Sequence, residues 1–309
     1  VLEFWSVNAR DDRNGGFIGQ IDNSGKKDWE AEKGCVLNTR ILWTFSAAYR
    51  QTGISAYKEI ADDVYTYLIK HFWDKENGGV IWSVDYKGQP LNTRKQTYAQ
   101  GFAIYAFSEY NRATGHEESL DYARQLFYMI ETKVWDKQFG GYIEALSADW
   151  EELEDMRLSP KDENFPKSMN THLHILEPFT NLYHVWPDKQ LKSRIEDLIV
   201  IFQKHIVSKE NGHFILFSDR DWAPRSEIIS YGHDIEGAWL IHEAALAIEN
   251  KNLIQSARET AINLVDITLA EGIDTDGSVF YEKEGNELDT DKHWWVQAEA
   301  IVGLCDAFE

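Results

Sequence analysis

The chain has 309 residues, 43% hydrophobic and 27% charged, the balance of a globular protein rather than a disordered or membrane-embedded one. Its 52 Asp and Glu against 31 Lys and Arg give a formal charge of −21, which repels phosphate backbones and anionic lipid and argues against nucleic acid or a membrane as partner. No apolar run reaches the roughly 18 residues of a spanning helix and no leader pattern opens the sequence, so a cytoplasmic address is expected.

Leu2-Glu3-Phe4-Trp5 reads as the tail of a helix, and a glycine turn follows from Asp11-Asp12 to Gly16-Phe17. Ile41, Leu42, Phe45, Ala48 and Tyr49, then Tyr57, Ile60, Val64, Tyr67 and Leu68, recur at helical spacing on either side of Gly53. That pattern predicts two helices with a short break between them. A second turn, Asp74 to Gly79-Val80, leads into a short extended run over Val80–Asp85. The next helix pair runs Tyr98 to Ala113 and Ser119 to Val134, split at Thr114-Gly115. After the turn Asp136 to Gly141-Tyr142, a third pair covers about Met169 to Val185 and Lys189 to Ile206, split at Trp186-Pro187-Asp188. Glu210 to Gly212-His213-Phe214 precedes a fourth pair, Gly232 to Glu249 and Asn252 to Leu269. Asp276-Gly277 to Val279 precedes a last helix starting near Trp294, whose pattern is still helical from Ala298 to Phe308.

The turn glycines at 16, 79, 141, 212 and 277 step by 63, 62, 71 and 65 residues, the mark of stacked units within one domain, here expected to span 1–309. A helical hairpin cannot cover its own apolar stripe, so repeated hairpins pack side by side into a solenoid or a closed ring. Helices after each glycine turn, such as Ala99–Ala106 and Ala238–Ala247, are apolar nearly all round and suit an inner layer. Ser119–Glu131 is more amphipathic and suits an outer one. The expectation is an all-α ring of hairpins that lacks the start of its first helix and its final helices. Cys35 and Cys305 both lie in apolar helical patterns and are expected in the core, with no disulfide framework.

Polar and aromatic residues gather at or just inside the starts of the inner helices: Arg40, Tyr98, Asn170, His174, His233, Glu236, Trp239, Trp295 and Glu299. Three- and four-residue spacings put Asn170 with His174, His174 with Glu177, His233 with Glu236, Glu236 with Trp239, and Trp295 with Glu299 on common faces. Two imidazoles at equivalent helix ends of different repeats suit proton transfer near neutral pH. Taken singly, each has a plainer explanation: His233 beside Asp234 as a local cap or pair, Arg40 as an ion-pair partner, Trp295 as core. The 12 Trp, 14 Tyr and 15 Phe divide in the same way between sugar-stacking faces and core filling. His172 and His174 are two apart and point to different sides, so no metal site is expected there.

Asn38-Thr-Arg-Ile-Leu-Trp-Thr-Phe-Ser46, Lys95-Gln-Thr-Tyr98, Phe102-Ala-Ile-Tyr-Ala106, Met169-Asn-Thr-His-Leu-His-Ile-Leu-Glu177, Tyr231-Gly-His-Asp-Ile-Glu236 and Trp294-Trp-Val-Gln-Ala-Glu299 occur in that order along essentially the whole chain. Together they resemble the cellobiose 2-epimerases of the N-acylglucosamine 2-epimerase superfamily. The resemblance implies an (α/α)6 barrel that interconverts glucose and mannose configuration at C2 of the reducing-end unit of a β-1,4-linked disaccharide, with neither metal nor nucleotide cofactor. It implies that His233 exchanges the C2 proton and that His174 assists ring opening and holds the intermediate. Arg40 would hold the oxygens at C1 and C2, Tyr98 and Asn170 would touch the reacting unit, Glu236 and Glu299 would orient histidines or hydroxyls, and Trp239 and Trp295 would pack on sugar faces. The family's second proton-exchanging histidine would fall in a segment following Glu309.

Elementary chemistry suits those residue types. A C–H bond is acidic only beside a carbonyl, so the pyranose opens to the aldehyde before C2 loses its proton. The resulting enediolate spreads negative charge over O1 and O2, which a planar guanidinium stabilises. Inversion needs a proton delivered to the opposite face. Other reactions are open to the same fold: hydrolysis by paired carboxylates drawn from Asp234, Glu236 and Glu299, which leaves His174 and Arg40 without a task; epimerisation or aldose–ketose isomerisation of a free or N-acylated monosaccharide; or sugar binding without turnover.

Overall fold

The computed structural model describes residues 1–308. Ten helices carry the fold among them: α1 Leu2–Asn8, α2 Cys35–Thr52, α3 Ser55–His71, α4 Thr97–Thr114, α5 Glu117–Met129, α6 Met169–Val185, α7 Lys189–Ile201, α8 Tyr231–Ala247, α9 Lys251–Glu271 and α10 Trp294–Phe308. Antiparallel strands of two or three residues occupy the loops that join the hairpins. Within the run Val80–Asp85 only Ser83–Val84 is a strand, paired on both sides, while Val80 makes an isolated bridge to Trp73. α5 and α7 each close in a wider π-turn, Ile130–Val134 and Phe202–Ile206.

The chain divides into two compact units, Val1–Trp135 with Glu144–Pro160, and Asp136–Ile143 with Lys161–Glu309. In the first, α2 packs along α4, and α3 and α5 are their hairpin partners. α4 is buried from Thr97 to Asn111 except at Tyr105, as a helix covered on all sides requires. α5 buries only Ser119, Leu120, Ala123, Leu126 and Phe127, one stripe at helical spacing. In the second unit α6, α8 and α10 neighbour one another in series and α7 and α9 complete hairpins. α9 buries Ala257, Ala261, Leu264, Val265 and Thr268, again a single stripe. Left-handed glycines end two inner helices: Gly53 at φ 69° and Gly115 at φ 72° each return their N–H to the helix carbonyl four residues back. Cys35 is core as expected, but Cys305 is exposed on α10, a correction to the sequence reading: the apolar pattern there does not fix which face is covered.

The repeat has a polar framework. In each turn one backbone N–H reaches the carbonyl five residues on, or four in the last: Asp11 to Gly16, Asp74 to Gly79, Asp136 to Gly141, Ser208 to His213 and Asp274 to Ser278. His213 and Ser278 therefore stand where the first three turns have their second glycine. Three turn aspartates are bound by buried lysines that lie two residues before the next inner helix: Lys33 to Asp11 at 2.7 Å, Lys95 to Asp74 at 2.6 Å and Lys167 to Asp136 at 3.0 Å. Lys292 repeats the contact with Asp274 at 3.0 Å.

The fourth residue of the inner helix then fastens the residue that follows the turn. Val80 N–H donates to Gln100 Oε1, Tyr142 N–H to His172 Nε2, Phe214 N–H to Asp234 Oδ1 and Val279 N–H to Gln297 Oε1, all at 2.8 to 2.9 Å. Trp150 and Trp222, each with a left-handed backbone at φ 68° and 71°, close over the turns of their own units, their indole N–H groups donating to Asn77 and Phe139 carbonyls. Glycine is required beneath them: a Cβ on Gly141 would stand 2.4 Å from the Trp222 ring and 2.7 Å from His172 Nε2.

Candidate active site

The second unit builds its polar centre from the N-terminal halves of α6, α8 and α10. α6 carries Pro178, which has no N–H and whose ring crowds the carbonyl four residues earlier, that of His174. His174 accordingly leaves helical geometry, at φ −86° and ψ 17°. Its buried ring is held from both sides: Nδ1–H donates to Glu177 Oε2 at 3.1 Å, and Nε2 lies 3.6 Å from Glu236 Oε1 on α8. Those two carboxylates fix the plane of the ring.

His233 is the third residue of α8. Its Nδ1 lies 2.8 Å from Ser230 Oγ, and its ring packs at 4.9 Å and 52° against Trp295 of α10. Burial, and secondarily the charge of His174, depress its pKa to about 3, so the resting ring is neutral at pH 7. Trp239, further along α8, donates its indole N–H to Glu299 Oε2 on α10 at 3.0 Å. Asn170, at the start of α6, has a buried Oδ1 with no hydrogen-bond partner among the described residues, an acceptor suited to a hydroxyl donor. In the first unit, Arg40 and Tyr98 meet: Arg40 Nη2 donates to the Tyr98 hydroxyl at 3.1 Å and the guanidinium lies 4.4 Å over Phe102.

Seven of the nine residues singled out in the sequence thus lie on three successive helices of one unit, and the other two form a pair in the other unit. Glu236 stands beside His174, and Glu299 accepts from the Trp239 indole. Other candidates are engaged elsewhere. His172 donates from Nδ1 to the Ser168 carbonyl at 2.7 Å while Nε2 takes the Tyr142 N–H, and full burial lowers its pKa to about 4. It is a loop anchor. Asp234 accepts from His213 Nδ1–H at 2.7 Å as well as from Phe214, so the cap or pair considered for His233 does not form. Among the described residues no group of three or more His, Cys, Asp or Glu is arranged to hold a metal ion, and no helix is long and apolar enough to cross a membrane.

Sequence reasoning passed over Ser230 and Pro178. The proline carries a plain signal, a helix breaker four residues after a candidate histidine. Ser230 carries a weaker one, since a serine at a helix start ordinarily reads as a backbone cap.

The family model for N-acylglucosamine 2-epimerase (GlcNAc 2-epimerase) matches residues 16–307. The cellobiose 2-epimerase of Bacteroides fragilis is 48% identical across 100% of this chain and 79% of its own length. That of Dictyoglomus turgidum is 40% identical across 100% of this chain and 78% of its own. The solved cellobiose 2-epimerase from Bacillus thermoamylovorans superposes with a TM-score of 0.96 at 39% identity, covering 100% of this chain and 79% of the other. The helical hairpins described above match those of that structure. By sequence and by fold, the chain belongs to the N-acylglucosamine 2-epimerase family.

Proposed function

We propose that the chain epimerises C2 of the reducing-end glucose in β-1,4-linked disaccharides such as cellobiose. One observation carries the chemistry: two imidazoles on neighbouring helices sit in contrasting surroundings, one between two carboxylates and one buried and neutral. His174 lies between Glu177 and Glu236, whereas His233 is kept neutral by burial and by His174. An imidazole between carboxylates suits opening of the hemiacetal ring, in which the ring oxygen gains a proton as the C1–O5 bond breaks and the C1 hydroxyl gives one up to become the aldehyde. A neutral imidazole suits the next step, accepting the C2 proton from the aldehyde.

The low pKa of His233 does not prevent it from acting as a base. Enediolate charge forms beside the new imidazolium at the moment of transfer and offsets the cost of burying that cation. The same group can return the proton to the face it came from; inversion of C2 requires a second donor on the opposite face, a role assigned to none of the residues named here. Trp295 beside His233 and the unpartnered Asn170 oxygen are assigned to sugar contact. The roles of Arg40 with Tyr98, as holders of the sugar oxygens, rest on the family resemblance and on their mutual pairing. Trp239 is assigned to a sugar face and Glu299 to holding it. No cofactor enters the scheme, and the cytoplasmic address expected from the sequence is kept.

Asp234 speaks against hydrolysis by paired carboxylates, since both its oxygens are committed to His213 and Phe214. Incubation with cellobiose followed by chromatography of the sugars tests the proposal. A disaccharide with mannose at the reducing end is expected. Release of glucose, accumulation of a ketose, or binding without any new product would each refute it.

A further inference from the structure

The chemistry proposed for His233 rests on one ring nitrogen having a free lone pair, and the start of α8 contains a device that selects which. Ser230 is the N-cap residue of α8 and is buried, yet its hydroxyl makes no backbone cap bond. It lies 2.8 Å from Nδ1 of His233, the third residue of the helix. The equivalent position of α6 shows what such a serine ordinarily does. Ser168 precedes Met169 as N-cap and its Oγ accepts the N–H of Thr171, the third residue of that helix, at 3.0 Å. Same residue type, same position and same target residue number: in α6 the hydroxyl takes the backbone, and in α8 it takes the side chain. α8 forgoes a stabilising cap for a contact that acts on one imidazole.

We propose that Ser230 is the positioning residue of His233, holding the neutral ring as the Nδ1–H tautomer so that Nε2 is the nitrogen that exchanges the C2 proton. In that tautomer Ser230 Oγ accepts from Nδ1–H, and among the described residues no hydrogen bond reaches Nε2. Trp295 packs on the ring and limits its rotation about the remaining axis. The choice of a hydroxyl has a chemical consequence. A carboxylate at Nδ1 would favour the imidazolium; a hydroxyl oxygen accepts the same proton without adding charge. When Nε2 takes the C2 proton, Nδ1–H remains bound to Ser230, and when Nε2 returns it the starting tautomer is restored. Ser230 itself neither gains nor loses a proton.

This assignment deepens the C2-exchange proposal and depends on it for its catalytic meaning, so the test reads the tautomer and the reaction separately. Histidine labelled with nitrogen-15 in the full chain gives the tautomer of neutral His233, assigned by its loss in His233→Ala. The Nδ1–H form is expected in the wild type and in Ser230→Thr, and in Ser230→Ala a shift toward the Nε2–H form that free imidazole side chains prefer. Deuterium incorporation at C2 of cellobiose in D2O then reads the reaction. Ser230→Ala is expected to lose about tenfold to a hundredfold in kcat with KM little changed, and Ser230→Thr to recover most of it. A mere cap would leave the tautomer and the kcat of folded protein unmoved. An Nε2–H ring in the wild type, an unchanged tautomer in folded Ser230→Ala, or a changed tautomer with undiminished kcat would each overturn the inference. Absence of exchange in a wild type that does show the Nδ1–H form would strike the C2 reading and leave the tautomer assignment standing.

Discussion

Replacing His172 by leucine separates the two histidines of His172-Leu173-His174, which look alike in sequence and do different work. The substitution nearly conserves volume in a fully buried position, so it leaves little cavity. It removes the acceptor of the Tyr142 N–H and the donor to the Ser168 carbonyl. Stranding a buried N–H costs about 1–3 kcal/mol and losing the second bond about 1 kcal/mol, so a destabilisation of about 2–4 kcal/mol is expected. At this chain length that corresponds to a fall in Tm of roughly 3–6 °C. Thermal unfolding followed by circular dichroism measures the stability, and deuterium uptake at C2 of cellobiose, taken well below Tm, measures the chemistry. The variant should unfold early yet exchange at close to the wild-type rate while folded. A variant that melts with the wild type but no longer exchanges would refute the assignment of His172 to the loop.

The depressed pKa of the same residue predicts a pH dependence of stability. Unfolded, the ring titrates near 6.5; folded, burial lowers its pKa to about 4, so the unfolded chain binds the proton first as pH falls. Stability should be greatest above pH 6.5 and decline toward pH 4, with His172 contributing up to about 1.4 kcal/mol per pH unit. Denaturant titrations across that window should show a shallower decline in His172→Leu, and an equally steep one would contradict the assignment. Arg40→Lys keeps the positive charge but loses the planar fork that donates to Tyr98. Turnover of cellobiose should fall by at least about tenfold, a loss of roughly 1.4 kcal/mol in transition-state binding, and near-normal kcat/KM would remove Arg40 from the enediolate step.

Helix order and hairpin breaks were readable because they are local: the 3.6-residue pattern, Gly53 and Gly115 need nothing from the rest of the chain. The polar framework was not. Nothing in the sequence names a partner for Lys33, Lys95, Lys167 or Lys292, and only folding shows the first three buried against turn aspartates. The same limit governs His172, Asp234 and Gln297, whose side chains are spent on backbone amides of preceding turns. Helical spacing brought His174 to Glu177 correctly, because both lie one turn apart on α6. It could not show that Glu236 of α8 lies on the other side of His174, nor that Glu299 of α10 faces Trp239, since contacts between helices depend on packing angle and register.

Deuterium incorporation at C2 of cellobiose in D2O, with wild type and His233→Ala compared at equal fold content, tests the central assignment most directly. The wild type should place solvent deuterium at C2 with the glycosidic bond intact, and His233→Ala should lose the exchange by at least about a hundredfold. Undiminished label in the folded variant, or none in the wild type, would contradict the assignment of His233 to that carbon.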